Sequence, residues 1–125
     1  MADEEDLPAQ AGVRLEEAET LFKASLYEGA VARAYYAAFS AARALLAADS
    51  EFSKSQNGVI GEFGRRYVRA KIVDPTLGKV LPQLEAKRNL ADYGAGRAIG
   101  KADAESAISR ATELLEAAVN YMRAP

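Results

Sequence analysis

Apolar residues recur every three or four positions along most of the chain, which is the spacing of helices with one buried face. The predicted helices cover approximately residues 10–26, 28–49, 57–70, 75–93 and 103–122. The pattern therefore predicts an all-α fold, a bundle of four to five helices. Residues 1–9 are expected to form an acidic flexible tail, and residues 10–123 a single domain.

The second predicted helix differs from the others because nearly all of its positions are apolar. Between Ala30 and Leu46 only Arg33, Ser40 and Arg43 are clearly polar, and their spacing places them on one narrow stripe. Such a helix is either the central helix of a bundle, or it is buried twice, by the core and by a partner. The sequence leaves both interpretations open.

Composition strengthens the helical prediction. The 125 residues include 27 alanines, against 11 valines and isoleucines together and 3 threonines. Alanine is the best helix former, whereas β-branched residues favour strands. Because the alanine side chain is small, it also lets helix axes approach closely, so we expect a tightly packed bundle.

Cysteine and histidine are both absent from the sequence. Their absence excludes disulfides, cysteine nucleophiles, zinc sites built from these residues and catalysis by a Ser-His-Asp triad. Any enzyme chemistry must use carboxylates, arginines, lysines or tyrosines. No phosphate-binding loop of the Gly-xxxx-Gly-Lys-Ser/Thr type occurs. Acidic pairs such as Glu16 and Glu19 have the spacing of a solvated helix face, so we predict neither a metal nor a cofactor.

The sequence predicts a cytoplasmic protein without a membrane partner. No apolar run approaches the roughly 20 residues that span a bilayer. The N-terminus is acidic, whereas a signal peptide begins with basic residues.

Charge is distributed unevenly along the chain, although the net charge is only −2. Residues 1–51 carry 4 basic and 10 acidic side chains, a net charge of −6, whereas residues 52–101 carry 10 and 4, a net charge of +6. Arg65, Arg66 and Arg69 lie in this basic segment, on the outward face of the third predicted helix. They are candidates for binding RNA phosphate, and the alternative is an ordinary solvated helix face.

The fourth predicted helix ends in the sequence RNLADY, residues Arg88 to Tyr93. Arg88 continues the inward apolar stripe of this helix, and Asp92 faces the same way one turn later. An inward arginine needs a partner, and Asp92 is its natural helical neighbour. The pair is either a structural ion pair, or it fixes a cation in a cleft that holds phosphate, with Asn89 and Tyr93 beside it.

Three segments resemble the HEPN domain, specifically its small stand-alone branch. They are ARAYYAAF at residues 32–39, SQNGVIGEF at residues 55–63, and the motif from Arg88 to Tyr93. Their order and spacing match over about residues 10–122. The resemblance implies an up-and-down antiparallel helical bundle that commonly forms a homodimer. The residues Tyr35, Tyr36 and Phe39 are then expected in the core or at an interface.

The resemblance also implies a partner and an activity. Many family members pair with a nucleotidyltransferase-type protein in toxin–antitoxin modules, and some are metal-independent ribonucleases. In those ribonucleases an arginine and a polar neighbour precede a histidine by four to six residues. Arg88 and Asn89 match the first two positions, but the histidine position falls between Tyr93 and Ala95. A second histidine, frequent before the third helix of this branch, is replaced here by Gln56.

Loss of the imidazole removes the usual general base near neutral pH. The leading hypothesis is a HEPN-like component of a toxin–antitoxin or defence module that binds nucleotide or RNA phosphate through Arg88 and Asp92. One alternative is a ribonuclease in which Arg88, Asn89 and Tyr93 are catalytic. The other is a non-catalytic helical adaptor. The sequence leaves open whether the protein is an enzyme.

Overall fold

The computed structural model describes residues 3–49, 51, 55–93 and 99–123, with backbone only for 3–7 and 91–93, and contains helices but no strand within these ranges. The helices are α1 (Asp3–Lys23), α2 (Tyr27–Ala48), α3 (Gln56–Phe63), α4 (Val80–Tyr93) and α5 (Lys101–Arg123). Two short segments lie between α3 and α4, a π-helical turn at Gly64–Val68 and a 3-10 helix at Pro75–Lys79. The predicted all-α helical bundle is confirmed.

The central element of the bundle is α2, which packs against α1, α3, α4 and α5. Eleven of its residues are buried, and seven of these are alanines. The small side chains let four neighbours approach one helix, as the composition predicted. The larger core side chains around them come from every part of the fold and include Tyr35, Leu45, Phe63, Tyr67, Leu81 and Leu114. The segment is therefore the central helix of the bundle, and its additional burial by a partner stays a prediction.

The first helix begins at Asp3, ahead of the predicted start near residue 10, and Pro8 lies inside it. Proline is usually a sign of a helix boundary. However, the acidic sequence at residues 3–6 also suits a helix start, because negative charge stabilises the positive end of a helix. After α1 the chain turns through Ser25, whose φ of 63° is left-handed. So short a connection makes α1 and α2 antiparallel neighbours.

The third helix is shorter than the predicted segment 57–70, because the chain becomes π-helical at Gly64. The backbone N–H of Arg69 donates to the carbonyl of Gly64 at 2.9 Å, which closes the wider π turn. Gly78 of the 3-10 helix packs directly against this turn. A Cβ atom at Gly78 would lie 2.8 Å from Cγ1 of Val68, so a side chain there would push the two segments apart.

Carboxylates fix the starts of the last elements. Asp74 is the N-cap of the 3-10 helix, since its Oδ1 accepts a hydrogen bond from the N–H of Thr76 at 2.9 Å, which lowers the pKa of Asp74. In the first turn of α5, Asp103 accepts from the N–H of Gly100 at 3.0 Å and pairs with Lys87 of α4 at 2.9 Å. Among the helices described above, none combines the length and apolar character required to cross a membrane.

Candidate functional site

A cluster of polar and aromatic side chains lies where α2, α4 and the start of α3 meet. We call it the Arg88 cleft, and its members are Tyr35, Tyr36, Gln56, Glu85, Arg88 and Asn89. The guanidinium carbon of Arg88 lies 4.8 Å from the centroid of the Tyr35 ring and 5.7 Å from that of Tyr36. Its Nη1 donates to the Tyr36 hydroxyl at 3.4 Å, and its Nη2 to Oδ1 of Asn89 at 3.1 Å. Cation–π attraction and hydrogen bonds thus hold Arg88 in one place.

The two tyrosines of the cleft occupy different environments although they are adjacent in sequence. Tyr35 is 1% exposed and belongs to the core, whereas Tyr36 is 37% exposed. Tyr36 lies on the same stripe of α2 as the exposed residues Arg33 and Arg43. The two rings meet edge-on, with centroids 5.5 Å apart. The buried ring therefore supports an exposed one, and Arg88 contacts both.

Gln56 connects the three helices of the cleft. Its Nε2 donates a hydrogen bond to the Tyr35 hydroxyl and another, of 2.8 Å, to Oε2 of Glu85. Burial raises the pKa of Tyr35, and the negative charge of Glu85 raises it further. Tyr35 therefore stays a neutral phenol at physiological pH. Because its oxygen accepts from Gln56, its own proton remains available for donation.

Local sequence explains how these groups come together. Ser55 is the N-cap of α3, and its hydroxyl accepts from the N–H of Gly58 at 2.9 Å, so that Gln56 becomes the first residue of the helix. Glu85 and Arg88 are three residues apart on α4 and therefore share a face. A carboxylate, an amide, phenols and a guanidinium thus converge at one edge of the bundle.

The other candidate residues from the sequence differ in whether the structure places them at the Arg88 cleft. Asn89 directly contacts Arg88, as described above. Phe39 is half-buried and stacks on Tyr35, with ring centroids 6.0 Å apart and planes inclined by 27°. The backbone of Asp92 and Tyr93 completes α4, but their side chains lie outside the described residues. The ion pair between Arg88 and Asp92 and the role of Tyr93 therefore stay predictions.

The structure does not bring the three arginines of the basic segment to the Arg88 cleft. Arg65 and Arg66 belong to the π-helical turn, and Arg69 follows it and is exposed. Arg65 pairs with Glu62 at 2.5 Å, and Arg66 pairs with Glu51 at 3.5 Å. The neighbouring Tyr67 contacts the far end of α2, about 20 Å along that helix from Tyr36 at 1.5 Å per residue.

A second polar cluster occupies that far end. Oδ2 of Asp49 accepts hydrogen bonds from the hydroxyls of Tyr67 at 2.5 Å and Tyr121 at 3.0 Å. The Tyr67 hydroxyl also lies 2.9 Å from the carbonyl oxygen of Leu45. Burial raises the pKa of Tyr67, and its hydrogen bond to Asp49 raises it further. The hydrogen bond to Asp49 is the main cause that raises the pKa of Tyr121. We call these three residues the Asp49 cluster.

Sequence reasoning missed Glu85 and assigned Gln56 only as a replacement for histidine. A signal for Glu85 was present, because it precedes Arg88 by three residues and so lies on the same helix face. Its proximity to Gln56 joins positions 29 residues apart and could not be inferred from local spacing. Within the described parts of the chain, no three acidic side chains are close enough to share a metal ion.

Comparisons with known proteins agree with the resemblance to the HEPN domain. The HEPN domain family matches residues 4–121. A UPF0332 protein of Gloeobacter violaceus is 31% identical over 121 residues, which are 96% of each chain. Two proteins of Methanocaldococcus jannaschii that carry the name "Putative toxin" are also similar. One is 29% identical over 94% of this chain and 80% of its own length, and the other is 39% identical over 63% and 59%.

Proposed function

This chain belongs to the HEPN domain family, and from that premise we propose that it is a toxin-like HEPN protein whose Arg88 cleft binds the phosphate of RNA or of a nucleotide. The names of the two Methanocaldococcus jannaschii relatives support the toxin-like character. One observation carries the binding proposal. Arg88 is held over two tyrosine rings at the edge of the bundle, and one of those rings is exposed.

The chemistry of the cleft suits a phosphate group. A guanidinium offers parallel N–H donors that match two phosphate oxygens, and such charge-assisted hydrogen bonds are about twice as strong as neutral ones. The neighbouring Tyr35 stays protonated at physiological pH, so it adds no negative charge to the site. The amide of Asn89 and the hydroxyl of Tyr36 lie next to Arg88 and supply further polar contacts.

We also propose that the protein acts as a homodimer, with a nucleotidyltransferase-type partner, in a toxin–antitoxin or defence module. The family resemblance supports both associations, and the separation of charge between residues 1–51 and 52–101 supports contact with a charged surface. Light scattering coupled to size-exclusion chromatography tests the dimer. A stable monomer at micromolar concentration would contradict it. Co-expression with a nucleotidyltransferase-type protein, where one is encoded beside this gene, tests the partner, and independent elution of the two proteins would contradict it.

The binding proposal is tested by Arg88→Gln, which removes the charge but keeps a polar side chain. The matched control is Arg43→Gln, which removes an equal charge from the exposed stripe of α2 outside the cleft. Fluorescence anisotropy with a short single-stranded RNA of mixed sequence measures affinity at fixed salt. We expect Arg88→Gln to weaken binding by about tenfold or more, because a hydrogen bond to a charged group contributes about 1.5–3 kcal/mol.

The control variant should change the RNA affinity less than about twofold at moderate salt, since one exposed charge adds only a screened contribution. Equal losses in the two variants would mean that RNA senses only net charge, and this result would refute a specific site. Circular dichroism should show both variants folded, because both side chains lie at the surface or near it.

A second candidate function is metal-independent cleavage of RNA, and the hydrogen bonds of Gln56 favour it. They link the carboxylate of Glu85 to the protonated phenol of Tyr35, whose ring Arg88 contacts. In such a reaction the 2′-oxygen attacks the adjacent phosphorus and the bond to the 5′-oxygen breaks. A base must take the 2′ proton and an acid must protonate the 5′-oxygen. Glu85 and a cleft tyrosine are groups of the required types.

Cleavage assays in the presence of EDTA separate this candidate from binding alone. The ribonuclease proposal expects RNA fragments with wild type, and a loss of about 10²-fold or more in rate with Glu85→Gln. Absence of cleavage by wild type, with RNA binding that depends on Arg88, would leave a binding protein. Absence of both would favour the non-catalytic adaptor.

A further inference from the structure

An open groove lies between the last turns of α1 and the first turns of α5. It has a volume of about 310 Å³ and is lined by Glu19, Phe22, Lys23, Glu105 and Ile108. Its two apolar members, Phe22 and Ile108, are half-buried against the core. The charged members are exposed, and two carboxylates against one ammonium give the rim a net charge of −1. We call this surface the α1–α5 groove. Its floor is apolar and its rim is acidic.

The turn that follows the π-helical segment has the complementary character. Ile72 is 47% exposed, and the flanking Arg69 and Lys71 are exposed as well. The backbone of the turn is fixed, because the N–H groups of Ile72 and of the buried Val73 both donate to the carbonyl of Tyr67, at 2.9 and 3.1 Å. We call Arg69, Lys71 and Ile72 the Ile72 knob. It presents an aliphatic side chain together with two cations.

The backbone of Lys71 adopts a conformation that glycine adopts more easily. Its φ of 61° is left-handed, so a lysine there keeps a cation beside Ile72 at the expense of local strain. Within the described part of the chain, neither cation of the knob forms an ion pair, and the same holds for Glu19 and Glu105. The charges of both surfaces are therefore available to another molecule.

We propose that the Ile72 knob of one copy of this chain docks in the α1–α5 groove of a second copy. The proposal names the surfaces of the self-association proposed above, and it rests on that association. Ile72 would pack on Phe22 and Ile108, and the two cations of the knob would lie beside Glu19 and Glu105. An apolar centre with complementary charges around it is the usual anatomy of a protein interface.

The positions of the two surfaces allow both contacts to form in one pair. Ile72 lies with Asp49 and Tyr121 near the ends of α2 and α5, whereas the groove includes the beginning of α5. Between Ile108 and Tyr121 the helix covers about 20 Å at 1.5 Å per residue. Two antiparallel copies would therefore each place a knob at the groove of the other, which gives a closed pair with two equal contacts.

The first test locates the contact by cross-linking. The chain contains no cysteine, so a single introduced thiol is unique. Ala70→Cys lies between the two cations of the knob, and Ser109→Cys lies on the helix face of Glu105, one turn later; both positions are exposed. With a short bismaleimide, a mixture of the two variants should form covalent dimers about tenfold or more faster than either variant alone, because the contact raises the effective thiol concentration. Equal rates would overturn the proposal.

The second test removes the apolar part of the contact. Ile72→Ser should weaken the dimer by about tenfold or more in sedimentation equilibrium, because a large aliphatic group is lost from each of two contacts. The matched control is Val13→Ser, since Val13 is 46% exposed and lies on α1 outside the groove lining. The control should change the dimerisation constant less than about twofold. Equal losses in the two variants would refute the knob.

The third test exchanges the charges. Lys71→Glu and Glu105→Lys should each weaken the dimer by about fivefold or less, because exposed ion pairs contribute little. The chain that carries both substitutions should return to within about twofold of the wild-type affinity, since the opposite charges again face each other. Losses that add in the double variant would refute the pairing.

Failure of this contact differs from failure of self-association. If wild type is a dimer that none of these substitutions weakens, the contact is refuted and the homodimer stands on another surface. If wild type stays monomeric at millimolar concentration, both proposals are refuted, and the groove is left for a different protein. Neither result affects RNA binding at the Arg88 cleft, which shares no residue with the knob or the groove.

Discussion

The middle and the end of α2 each carry a cluster built on tyrosine, but the hydrogen bonds run in opposite directions. At the Arg88 cleft, the Tyr35 hydroxyl accepts from Gln56. At the Asp49 cluster, the hydroxyls of Tyr67 and Tyr121 both donate to one carboxylate. The first arrangement leaves the Tyr35 proton unused by these contacts, whereas the second uses both hydroxyl protons on Asp49. We therefore assign the Asp49 hydrogen bonds to stability and those of Gln56 to positioning.

The comparison teaches that residue type alone does not reveal the role of a buried tyrosine. Tyr35 and Tyr67 are both 1% exposed, and in both the pKa is raised chiefly by burial. They differ in the hydrogen-bond partner of the hydroxyl, which is an amide donor for Tyr35 and a carboxylate acceptor for Tyr67. Substitutions that remove the partner should separate the two roles.

The largest expected difference is between Asp49→Ala and Glu85→Ala. Removal of Asp49 takes the acceptor from two tyrosine hydroxyls and should lower the free energy of unfolding by about 1–3 kcal/mol. Removal of Glu85 should cost less than about 1 kcal/mol, because Gln56 keeps its hydrogen bond to Tyr35. Urea denaturation measures both values. Asp49→Asn keeps an acceptor oxygen, so its free energy of unfolding should lie between those of wild type and Asp49→Ala. Equal losses of stability for Asp49→Ala and Glu85→Ala would contradict the different roles assigned to these two carboxylates.

The next effect concerns alkaline pH. The pKa of Tyr67 and of Tyr121 is raised above 10.0 in the folded protein. Above pH 10 the unfolded chain therefore loses these protons first, and the free energy of unfolding falls as pH rises. The contribution is fully present below pH 10. Tyr67→Phe removes one such group, so its stability should fall less steeply between about pH 10 and pH 11 than that of wild type. Parallel curves would contradict the assigned role of Tyr67.

The smallest effect separates stability from positioning at the start of α3. Ser55→Ala removes the N-cap hydrogen bond and should cost about 0.5–2 kcal/mol. Because Gln56 is the next residue, RNA affinity at the cleft should also fall severalfold. Asp74→Ala, at the cap of the 3-10 helix, is the matched control. It should reduce stability by a similar amount and leave RNA affinity unchanged, and an equal drop in affinity would show that the cleft responds to stability alone.

The sequence predicted the framework because its signals are local. The apolar character of α2 is determined by residues of that helix itself, and each of the other helices shows an apolar stripe with helical spacing in its own segment. The Arg88 motif was found in the same way, through its spacing along one helix. Local signals also carry the resemblance to the HEPN domain, since each of its three segments lies on a single element.

What the sequence could not predict depends on non-local contacts and on small changes of helix type. The hydrogen bond from Tyr121 to Asp49 joins positions 72 residues apart. The start of α1 was placed too late, because proline usually marks a helix boundary, whereas Pro8 lies inside this helix. The π-helical turn was missed because one extra residue in five hardly changes the apolar spacing of Val59, Phe63 and Tyr67.

Because of that extra residue, the direction in which the basic side chains of the π-helical turn point depends on the number of residues in the turn as well as on their identity. Each residue of a regular helix turns the chain by about 100°, so deletion of a single position within Gly64–Val68 would rotate α3 by that angle relative to everything that follows. Any arginine of the turn that is kept would then point elsewhere relative to Asp49 and Tyr121. In this fold, the insertion or deletion of one residue in this turn would therefore change the direction of the side chains around it without any substitution elsewhere.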